Sequence, residues 1–206
     1  MQSSAFFRGI MGPFGSGKST CCVMDILRRA QNQAAGPDGK RRSRWAVVRN
    51  TYPELRTTTI KTWHQWVPPT IGRWVDTGPP THHIQEGELD LEVIFVSLDR
   101  PDDIAKLLGM ELTGAWVDEA REVPKAVIDG LTGRVGRYPS AAQGGCSWSG
   151  IICSTNPPDS DHWWYRLAEE DHPPGWEFFR QPSGLDDQAE NLDWLNQVPE
   201  TLALPE

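Results

Sequence analysis

One eight-residue segment near the N-terminus constrains the fold of this chain more than any other feature. Residues 12–19 read Gly-Pro-Phe-Gly-Ser-Gly-Lys-Ser and fill every specified position of the pattern G-x-x-x-x-G-K-[S/T]. Glycines let the backbone curl so that its N–H groups point at phosphates, and the N-terminus of a following helix adds the positive end of its dipole. The segment therefore predicts a phosphate-binding loop between a strand and a helix.

The sequence on either side of the loop favours the same arrangement. Ala5–Met11 predicts a short, mostly apolar strand, and Cys21–Ala30 predicts a helix with Val23, Ile26 and Leu27 on one face. A strand, a glycine-rich loop and a helix in this order are typical of nucleoside triphosphate binding, and we expect the ligands to be ATP and Mg²⁺. A glycine-rich turn that contains a lysine by chance is the alternative interpretation.

The expected contacts follow from the chemistry of the loop. The Lys18 ammonium would reach the β- and γ-phosphates, and the Ser19 hydroxyl would ligate Mg²⁺. The other residues expected to contact the nucleotide lie in the loop and at the start of the helix: Gly12, Pro13, Phe14, Gly15, Ser16, Gly17 and Thr20.

Predicted strands and helices alternate along the rest of the chain. The pattern predicts strands at 45–49, 112–118 and 150–154, a hairpin over 82–98, and helices at 57–67, 103–108 and 123–131. Such alternation is typical of an α/β fold with a mostly parallel central sheet flanked by helices. We expect one domain over residues 1–180, followed by an acidic tail or linker over residues 181–206.

Charge is distributed unevenly along the 206 residues, whose net charge is −8. Residues 1–73 hold 12 lysines and arginines against 3 acidic residues, whereas residues 154–206 hold 2 against 12. This asymmetry predicts a basic surface at one end of the molecule and an acidic surface at the other. The sharpest basic cluster, Lys40–Arg44, is interpreted as part of a solvated loop over residues 31–43, and not as a DNA contact taken alone.

The cysteines and histidines of the chain are not predicted to bind a metal. The four cysteines form no C-x-x-C pair, and we expect buried, inert thiols in a reduced, cytosolic protein. His82, His83 and His162 lack the spacing of metal ligands. No apolar run approaches the length of a membrane span.

Two adjacent carboxylates predict the second part of the site. The strand at 112–118 ends at Asp118 and is followed by Glu119, which places both at a strand end beside the phosphate loop. Asp118 would hold Mg²⁺ through its water shell, and Glu119 would align the attacking water against the γ-phosphate. Adjacent strand residues point to opposite faces, so Glu119 can enter the site only if the strand ends or bends there. An exposed acidic strand end is the alternative.

The strand at 150–154 predicts the third part, because it delivers Ser154, Thr155 and Asn156 to the same edge of the sheet. A threonine or asparagine there can hydrogen-bond a γ-phosphate oxygen or the lytic water and release it after hydrolysis. Thr155 and Asn156 are therefore candidate nucleotide contacts. An ordinary turn before Pro157 is the alternative.

These three parts together resemble the ATPase domain of the phage terminase large subunit. The resemblance is carried by Gly12–Ser19, Val48–Thr58, Leu112–Ala120 and Ile152–Asp159. It implies a P-loop NTPase of the additional-strand, catalytic-glutamate type that hydrolyses ATP to move double-stranded DNA into a procapsid. It also implies a homo-oligomeric ring, usually a pentamer, that acts in the host cytoplasm, away from membranes, with a portal protein and a small terminase subunit as partners.

The resemblance further implies an arginine that a neighbouring subunit inserts to stabilise charge on the transferring phosphoryl group. The stretch in which many members carry it reads Lys106–Gly109 here and contains no arginine. Arg134 and Arg137 are the substitutes predicted to be catalytic, with Arg49 and Arg56 as further candidates. A surface or phosphate-contact role is equally open for each.

A complete terminase carries a metal-dependent nuclease domain after the ATPase, and residues 182–206 are too few to form one. We interpret Asp186, Asp187 and Glu190 as part of a solvated acidic tail and expect no nuclease activity from this chain. Other functions stay open: a helicase-like remodelling ATPase, a small-molecule phosphotransferase, and a module that binds nucleotide without hydrolysing it. The helicase class would show Asp-Glu-Ala-Asp or Asp-Glu-x-His, whereas residues 118–121 read Asp-Glu-Ala-Arg.

Overall fold

Eight strands form one mixed sheet in this computed structural model, which describes residues 3–99 and 101–182. The strands, in chain order, are β1 (Phe7–Met11), β2 (Arg41–Arg49), β3 (Arg73–Val75), β4 (Thr81–Glu86), β5 (Leu89–Ser97), β6 (Gly114–Asp118), β7 (Gly150–Thr155) and β8 (Trp176–Arg180). Across the sheet their order is β3-β4-β5-β2-β6-β7-β1-β8. Neighbouring strands are parallel except at β4, which runs antiparallel to both β3 and β5.

Helices connect the strands and cover both faces of the sheet. The α-helices are α1 (Lys18–Gln31), α2 (Tyr52–Glu54), α3 (Ile60–Trp66), α4 (Pro101–Gly109), α5 (Lys125–Thr132) and α6 (Trp163–Tyr165). A π-helical turn, Leu55–Thr59, joins α2 to α3, and a second one, Arg166–Asp171, follows α6. Short 3₁₀ turns lie at Ala120–Glu122 and Ala141–Gln143.

Two apolar clusters, one on each side of the sheet, form the core. Alternate residues of β6 enter opposite clusters, since Ala115 and Val117 join one and Trp116 joins the other. The helices α1 and α3 supply apolar side chains to the cluster of Trp116, whereas α4 and α5 supply the opposite cluster. Burial on both faces explains why the central parallel strands read as nearly continuous apolar runs.

The order of the parallel strands brings the predicted parts of the site together. β7 lies between β1 and β6, as expected for the additional-strand class of P-loop NTPases. In register, Met11 lies opposite Thr155 and Asp118 lies opposite Ser154. The C-terminal ends of β1, β7 and β6 therefore meet at one edge of the sheet. The predicted fold class is confirmed, and so is the hairpin, with Gly87 (φ 56°) in the turn between β4 and β5.

The interpretation of Lys40–Arg44 as part of a solvated loop is wrong, because β2 begins at Arg41. The arginines of its first half pair with acidic side chains: Arg41 with Glu88, Arg42 with Asp38 and Asp90, and Arg44 with Glu92. Most of these acidic residues lie on or next to β5, the parallel neighbour of β2, so the charges cancel across the two strands. The basic run is thus a strand end and not a free basic surface.

The sequence patterns missed β3, β8 and the helical segment from Trp163 to Asp171. These elements are short, and aromatic packing supports the last two. Trp164 is fully buried, and Phe7 of β1 stacks on Trp176 of β8 with ring centroids 3.6 Å apart. An edge strand of five residues that depends on such contacts carries little periodicity of its own.

The cysteines differ in exposure. Cys22 and Cys153 are buried, as expected, whereas Cys21 and Cys146 are only partly buried, so the expectation of four buried thiols is wrong for two. Burial raises the pKa of all four thiols. Within the described ranges no cluster of three or more His, Cys, Asp or Glu side chains is placed to hold a metal ion. None of the helices described here has both the length and the apolar character to cross a membrane.

Candidate nucleotide-binding site

The phosphate loop has the predicted strand–loop–helix form, with β1 before it and α1 after it. Gly15 and Gly17 adopt left-handed backbone conformations, with φ of 72° and 76°, which a residue with a Cβ adopts only at a cost. Gly17 is the N-cap of α1, and no side chain caps the first turn of the helix. The N-terminal amides of α1 are therefore available to an anion.

Lys18 folds back over its own loop. Its ammonium donates hydrogen bonds to the carbonyl oxygens of Gly12 (2.8 Å) and Pro13 (2.7 Å) and to Oδ1 of Asn156 (3.1 Å). Burial lowers the pKa of Lys18, and the nearby carboxylates of Glu119 and Asp118 oppose that effect. The single cation of the loop is thus held directly between the loop and the ends of β6 and β7.

Asp118 is buried and held rigidly by hydroxyl groups. Thr59 donates to Oδ2 (2.6 Å) and Ser154 donates to Oδ1 (2.9 Å), while Trp116 donates its indole N–H to the Ser154 hydroxyl (2.9 Å). Thr59 comes from the π-helical turn between α2 and α3, and such turns are common at functional sites. Each carboxylate oxygen therefore has a fixed direction for its remaining lone pair.

Glu119 meets the condition that the sequence imposed on it. Its backbone is left-handed (φ 49°, ψ 56°), one of two such non-glycine residues in the described chain, and this conformation ends β6 and turns the side chain toward the loop. Its carboxylate accepts hydrogen bonds from the backbone N–H and the side-chain Nδ2 of Asn156, both at 3.4 Å. Burial and then repulsion by Asp118 raise the pKa of Glu119, which makes it a better proton acceptor.

Asn156 and Thr155 have different surroundings. The Asn156 side chain bridges Lys18 and Glu119, so it touches both charged groups of the predicted reaction. Thr155 is fully buried, and its hydroxyl accepts a hydrogen bond from the backbone N–H of Arg121 (3.3 Å). Of the two predicted contacts, the structure thus brings Asn156 to the charged centre, whereas Thr155 supports the turn after Glu119.

The residues predicted to hold Mg²⁺ fit that ion. Cys22 lies one turn after Ser19 on the same side of α1, and its thiol interacts with Ser154 and Asp118. The spacing of three residues therefore places Ser19 on the side of α1 that Cys22 turns toward Asp118. A hydroxyl and a carboxylate are hard oxygen ligands of the kind that Mg²⁺ prefers.

Four arginines considered for catalysis lie in three different environments. Arg49 is buried among Asp118, Glu122 and Glu54, at 3.8, 3.4 and 3.6 Å, so it faces its own subunit and is not free for a neighbour. Arg56 pairs with Asp76 at the surface. The position of Arg49 beside Asp118 does not follow from the sequence, because an arginine at a strand end carries no signal of the acidic residues around it.

Arg134 and Arg137 lie elsewhere. The segment that contains both arginines pairs with Leu112, which precedes β6. It therefore lies near the N-terminal end of β6, whereas the phosphate loop follows the C-terminal end of β1. Neither reaches the loop of its own chain, and any catalytic contact would have to be made in a neighbouring subunit. Their predicted role stays a prediction.

Gln181 is a further contact of the loop that the sequence did not indicate. It follows β8, its backbone N–H donates to the carbonyl of Met11 (2.8 Å), and its side chain donates to the carbonyl of Ser16 (2.8 Å). A Cβ added to Gly12 would lie 2.8 Å from the Cβ atom of Gln181, so a larger residue at position 12 would displace Gln181. Gln181 was assigned to the tail, and the rest of that segment from residue 183 onward, including Asp186, Asp187 and Glu190, lies outside the described residues.

Comparison with known families agrees with this geometry. The model of the phage terminase large subunit family matches residues 5–188, which include every residue of the site described above. This chain belongs to the phage terminase large subunit family. A comparison with curated protein sequences gives no match.

Solved terminase structures share the fold. The large terminase of a thermophilic bacteriophage superimposes with a TM-score of 0.64 at 14% identity over 85% of this chain, and its complex with ATP-gamma-S gives 0.61 at 13% over 85%. The N-terminal domain of the DNA packaging ATPase from bacteriophage phi29 gives 0.53 at 13% identity, with 89% of this chain and 93% of that domain covered. This terminase chain spans only 40% and 39% of the two chains from the thermophilic phage.

Proposed function

We propose that this chain is the ATP-hydrolysing motor domain of a viral DNA-packaging terminase. The observation that carries the proposal is the Asn156 side chain, which joins the Lys18 ammonium to the Glu119 carboxylate across the ends of β1, β7 and β6. A glycine loop alone binds phosphate, whereas a partly buried carboxylate beside it, that of Glu119, can also direct water. Membership of the terminase family and the likeness to terminase ATPase folds support the same conclusion.

The residues divide the chemistry of hydrolysis among them. The first-turn amides of α1 and the Lys18 ammonium would bind the phosphates, and Glu119 would orient water and accept its proton as the oxygen attacks the γ-phosphorus. The bond from that phosphorus to the β,γ-bridging oxygen breaks, and ADP and phosphate leave. Mg²⁺, held by Ser19 and by Asp118 through water, would neutralise charge on the phosphates.

Asn156 also offers a means of coupling hydrolysis to movement. Because one amide contacts both Lys18 and Glu119, a change in the partner of Lys18 changes the hydrogen bonding of the glutamate. A γ-phosphate would compete with the Asn156 oxygen for the ammonium, and its loss would restore that bond. Such a contact differs in energy between the two nucleotide states, which is what a motor requires.

The proposed substrate of the movement is double-stranded DNA, with a portal protein, a small terminase subunit and further copies of this chain in a ring as partners inside the infected cell. Terminase membership supports these partners in general terms. The absence of nuclease activity stays a prediction, which incubation with plasmid and Mn²⁺ checks; cleavage that is lost on changing Asp186 and Asp187 would contradict it.

The test of the proposal is ATP turnover in three variants. We expect Lys18→Ala to lose both ATP binding and turnover, and Glu119→Gln to lose turnover while it retains binding. Asp129→Asn, at an exposed carboxylate paired with Lys125, serves as the matched control and should turn over ATP like the unaltered chain. A Glu119→Gln protein with normal turnover would overturn the assignment.

Ring assembly gives a second measurement. If a neighbouring subunit completes the site, the specific activity should rise with protein concentration, and linear duplex DNA should raise it further. Arg134→Ala and Arg137→Ala, mixed with catalytically inactive Glu119→Gln subunits, would test which arginine acts across the interface.

A further inference from the structure

Exposed apolar side chains gather around the start of α1. Among the described residues, Phe14 is 54% exposed, Trp66 is 50% exposed and Met24 is 39% exposed. Phe14 belongs to the phosphate loop, and Met24 lies one turn after Thr20 on the same side of α1. Phosphate binding by the loop does not need large apolar side chains beside it. Exposed apolar surface of this kind commonly contacts a ligand or a partner.

Trp66 has a defined position in this group. It is the last residue of α3, and its indole N–H donates a hydrogen bond to the Thr20 hydroxyl at 3.3 Å. The bond fixes the ring beside the first turn of α1 while half of the side chain stays exposed. Trp63, one turn earlier in α3, is fully buried and supplies the apolar contact that core packing needs. Core packing therefore does not account for an aromatic ring at position 66.

The position of Thr20 tells which part of a nucleotide would pass Trp66. Lys18 addresses the β- and γ-phosphates and Ser19 the metal, so the next residue of the helix lies toward the α-phosphate. The ribose is attached to the α-phosphate and carries the base. A nucleotide bound by this loop therefore extends past the first turn of α1, where the Trp66 indole is held.

We propose that Trp66 forms a base-binding subsite, in which the exposed indole face packs against the base or ribose of the bound nucleoside triphosphate. The inference rests on the proposed function, because it requires that the loop binds such a nucleotide. Packing of an aromatic ring on a nucleobase tolerates any base, since every base has a π-face. Trp66 would thus add affinity for the nucleoside part without selecting adenine strictly.

The experiment compares a ligand that has a base with one that has none. Calorimetry would measure the affinity of the full chain for Mg-ATP and for inorganic tripolyphosphate. We expect Trp66→Ala to weaken Mg-ATP binding about 5- to 100-fold, the range that base–aromatic stacking gives. Tripolyphosphate affinity should stay within about twofold of the unaltered chain, and Trp66→Phe should bind Mg-ATP with intermediate affinity. Tyr52→Ala, which removes a 42% exposed ring elsewhere, is the matched control and should change neither affinity.

Each outcome decides the matter. Unchanged Mg-ATP affinity in Trp66→Ala refutes the subsite, and an equal loss for both ligands refutes it as well, since Trp66 would then only support the loop. An unaltered chain that binds tripolyphosphate but gains nothing from the nucleoside also refutes the subsite and leaves the phosphate site intact. An unaltered chain that binds neither ligand overturns the proposed function together with this inference.

Discussion

A buried ion pair between β1 and α1 gives the sharpest prediction about stability. Arg8 in β1 is fully buried, and its guanidinium donates to Oδ2 of Asp25 in α1, a residue that is 3% exposed. Asp25 is the carboxylate that pairs with Arg8 in the described chain, and Nε and Nη2 of Arg8 have no hydrogen-bond partner there. The ring of Trp148, 4.8 Å away, is the other group that stabilises the Arg8 charge.

Asp25→Ala should therefore cost more than the pair itself contributes, because it leaves a buried cation without its anion. Removal of one partner of a buried pair costs about 3–5 kcal/mol. Against a total free energy of unfolding of about 5–15 kcal/mol, this is a large fraction. At about 2–4 °C per kcal/mol for a domain of this size, the melting temperature should fall by roughly 6–20 °C.

Urea unfolding followed by circular dichroism measures the effect. The double variant Arg8→Met with Asp25→Leu removes both of these charges and should recover part of the loss, because well-packed apolar residues can replace a buried pair at little cost. The recovery should be partial because Arg28 and the largely buried Arg29 also pair with Asp25 and lose it in both variants. Lys125→Ala, which breaks an exposed pair with Asp129, should cost about 0.5 kcal/mol or less. A loss below about 1 kcal/mol in Asp25→Ala, or a double variant less stable than the single one, would refute the reasoning.

Three further predictions concern the site and the pH dependence of stability. Thr59→Val removes the hydroxyl that donates to Asp118 and should lower ATP turnover about tenfold or more with little effect on folding. Thr59→Ser keeps that hydroxyl and should retain activity. Equal ATP turnover in the two variants would contradict the role given to the hydroxyl. Gly17→Ala should abolish ATP binding. The control Gly39→Ala has a similar positive φ (78° against 76°) and open space around it, so it should introduce the same backbone strain and leave ATP binding unchanged. Loss of ATP binding in both variants would show that backbone strain alone, and not the position in the phosphate loop, causes the loss. His82 accepts a hydrogen bond from the Trp63 indole and bonds the carbonyl of Ile71, and burial lowers its pKa from 6.5. The unfolded chain therefore takes up a proton that the folded chain refuses. The stability that His82 contributes should be constant above about pH 6.5 and fall below it by up to about 1.4 kcal/mol per pH unit, and the slope of the free energy of unfolding should be shallower in His82→Gln.

The sequence predicted the parts of the site that depend on local rules. The glycine positions, the strand before the loop and the carboxylates at the end of β6 each follow from a pattern within about ten residues, and their meeting follows from parallel strands. The bend at Glu119 was required by the alternation of strand residues, and its left-handed backbone meets that requirement. Local chemistry and topology together therefore suffice to place Lys18, Asp118 and Glu119.

Most of the contacts that the sequence missed are made between segments distant along the chain. Thr59 reaches Asp118 from a π-helical turn, Gln181 reaches the loop from the end of β8, and Arg49 meets acids from three separate elements. Neither a π-helical turn nor the side on which β8 joins the sheet follows from periodicity. The prediction for the arginines at the start of β2 was wrong for a related reason, since their acidic partners lie on or next to β5, more than 40 residues away.

These distant contacts bear directly on the motor function proposed above. Arg49 connects Asp118 to the end of β2 and Thr59 connects it to the segment that follows, while Asn156 connects Glu119 to Lys18 and to the end of β7. A rearrangement at the nucleotide would therefore change the contacts of two segments on opposite sides of β6, and not those of the loop alone. Packed elements of this kind shift between discrete arrangements and do not deform gradually. Under the proposed function, the same hydrogen bonds that fix the carboxylates for chemistry would thus provide the physical route by which hydrolysis moves the protein.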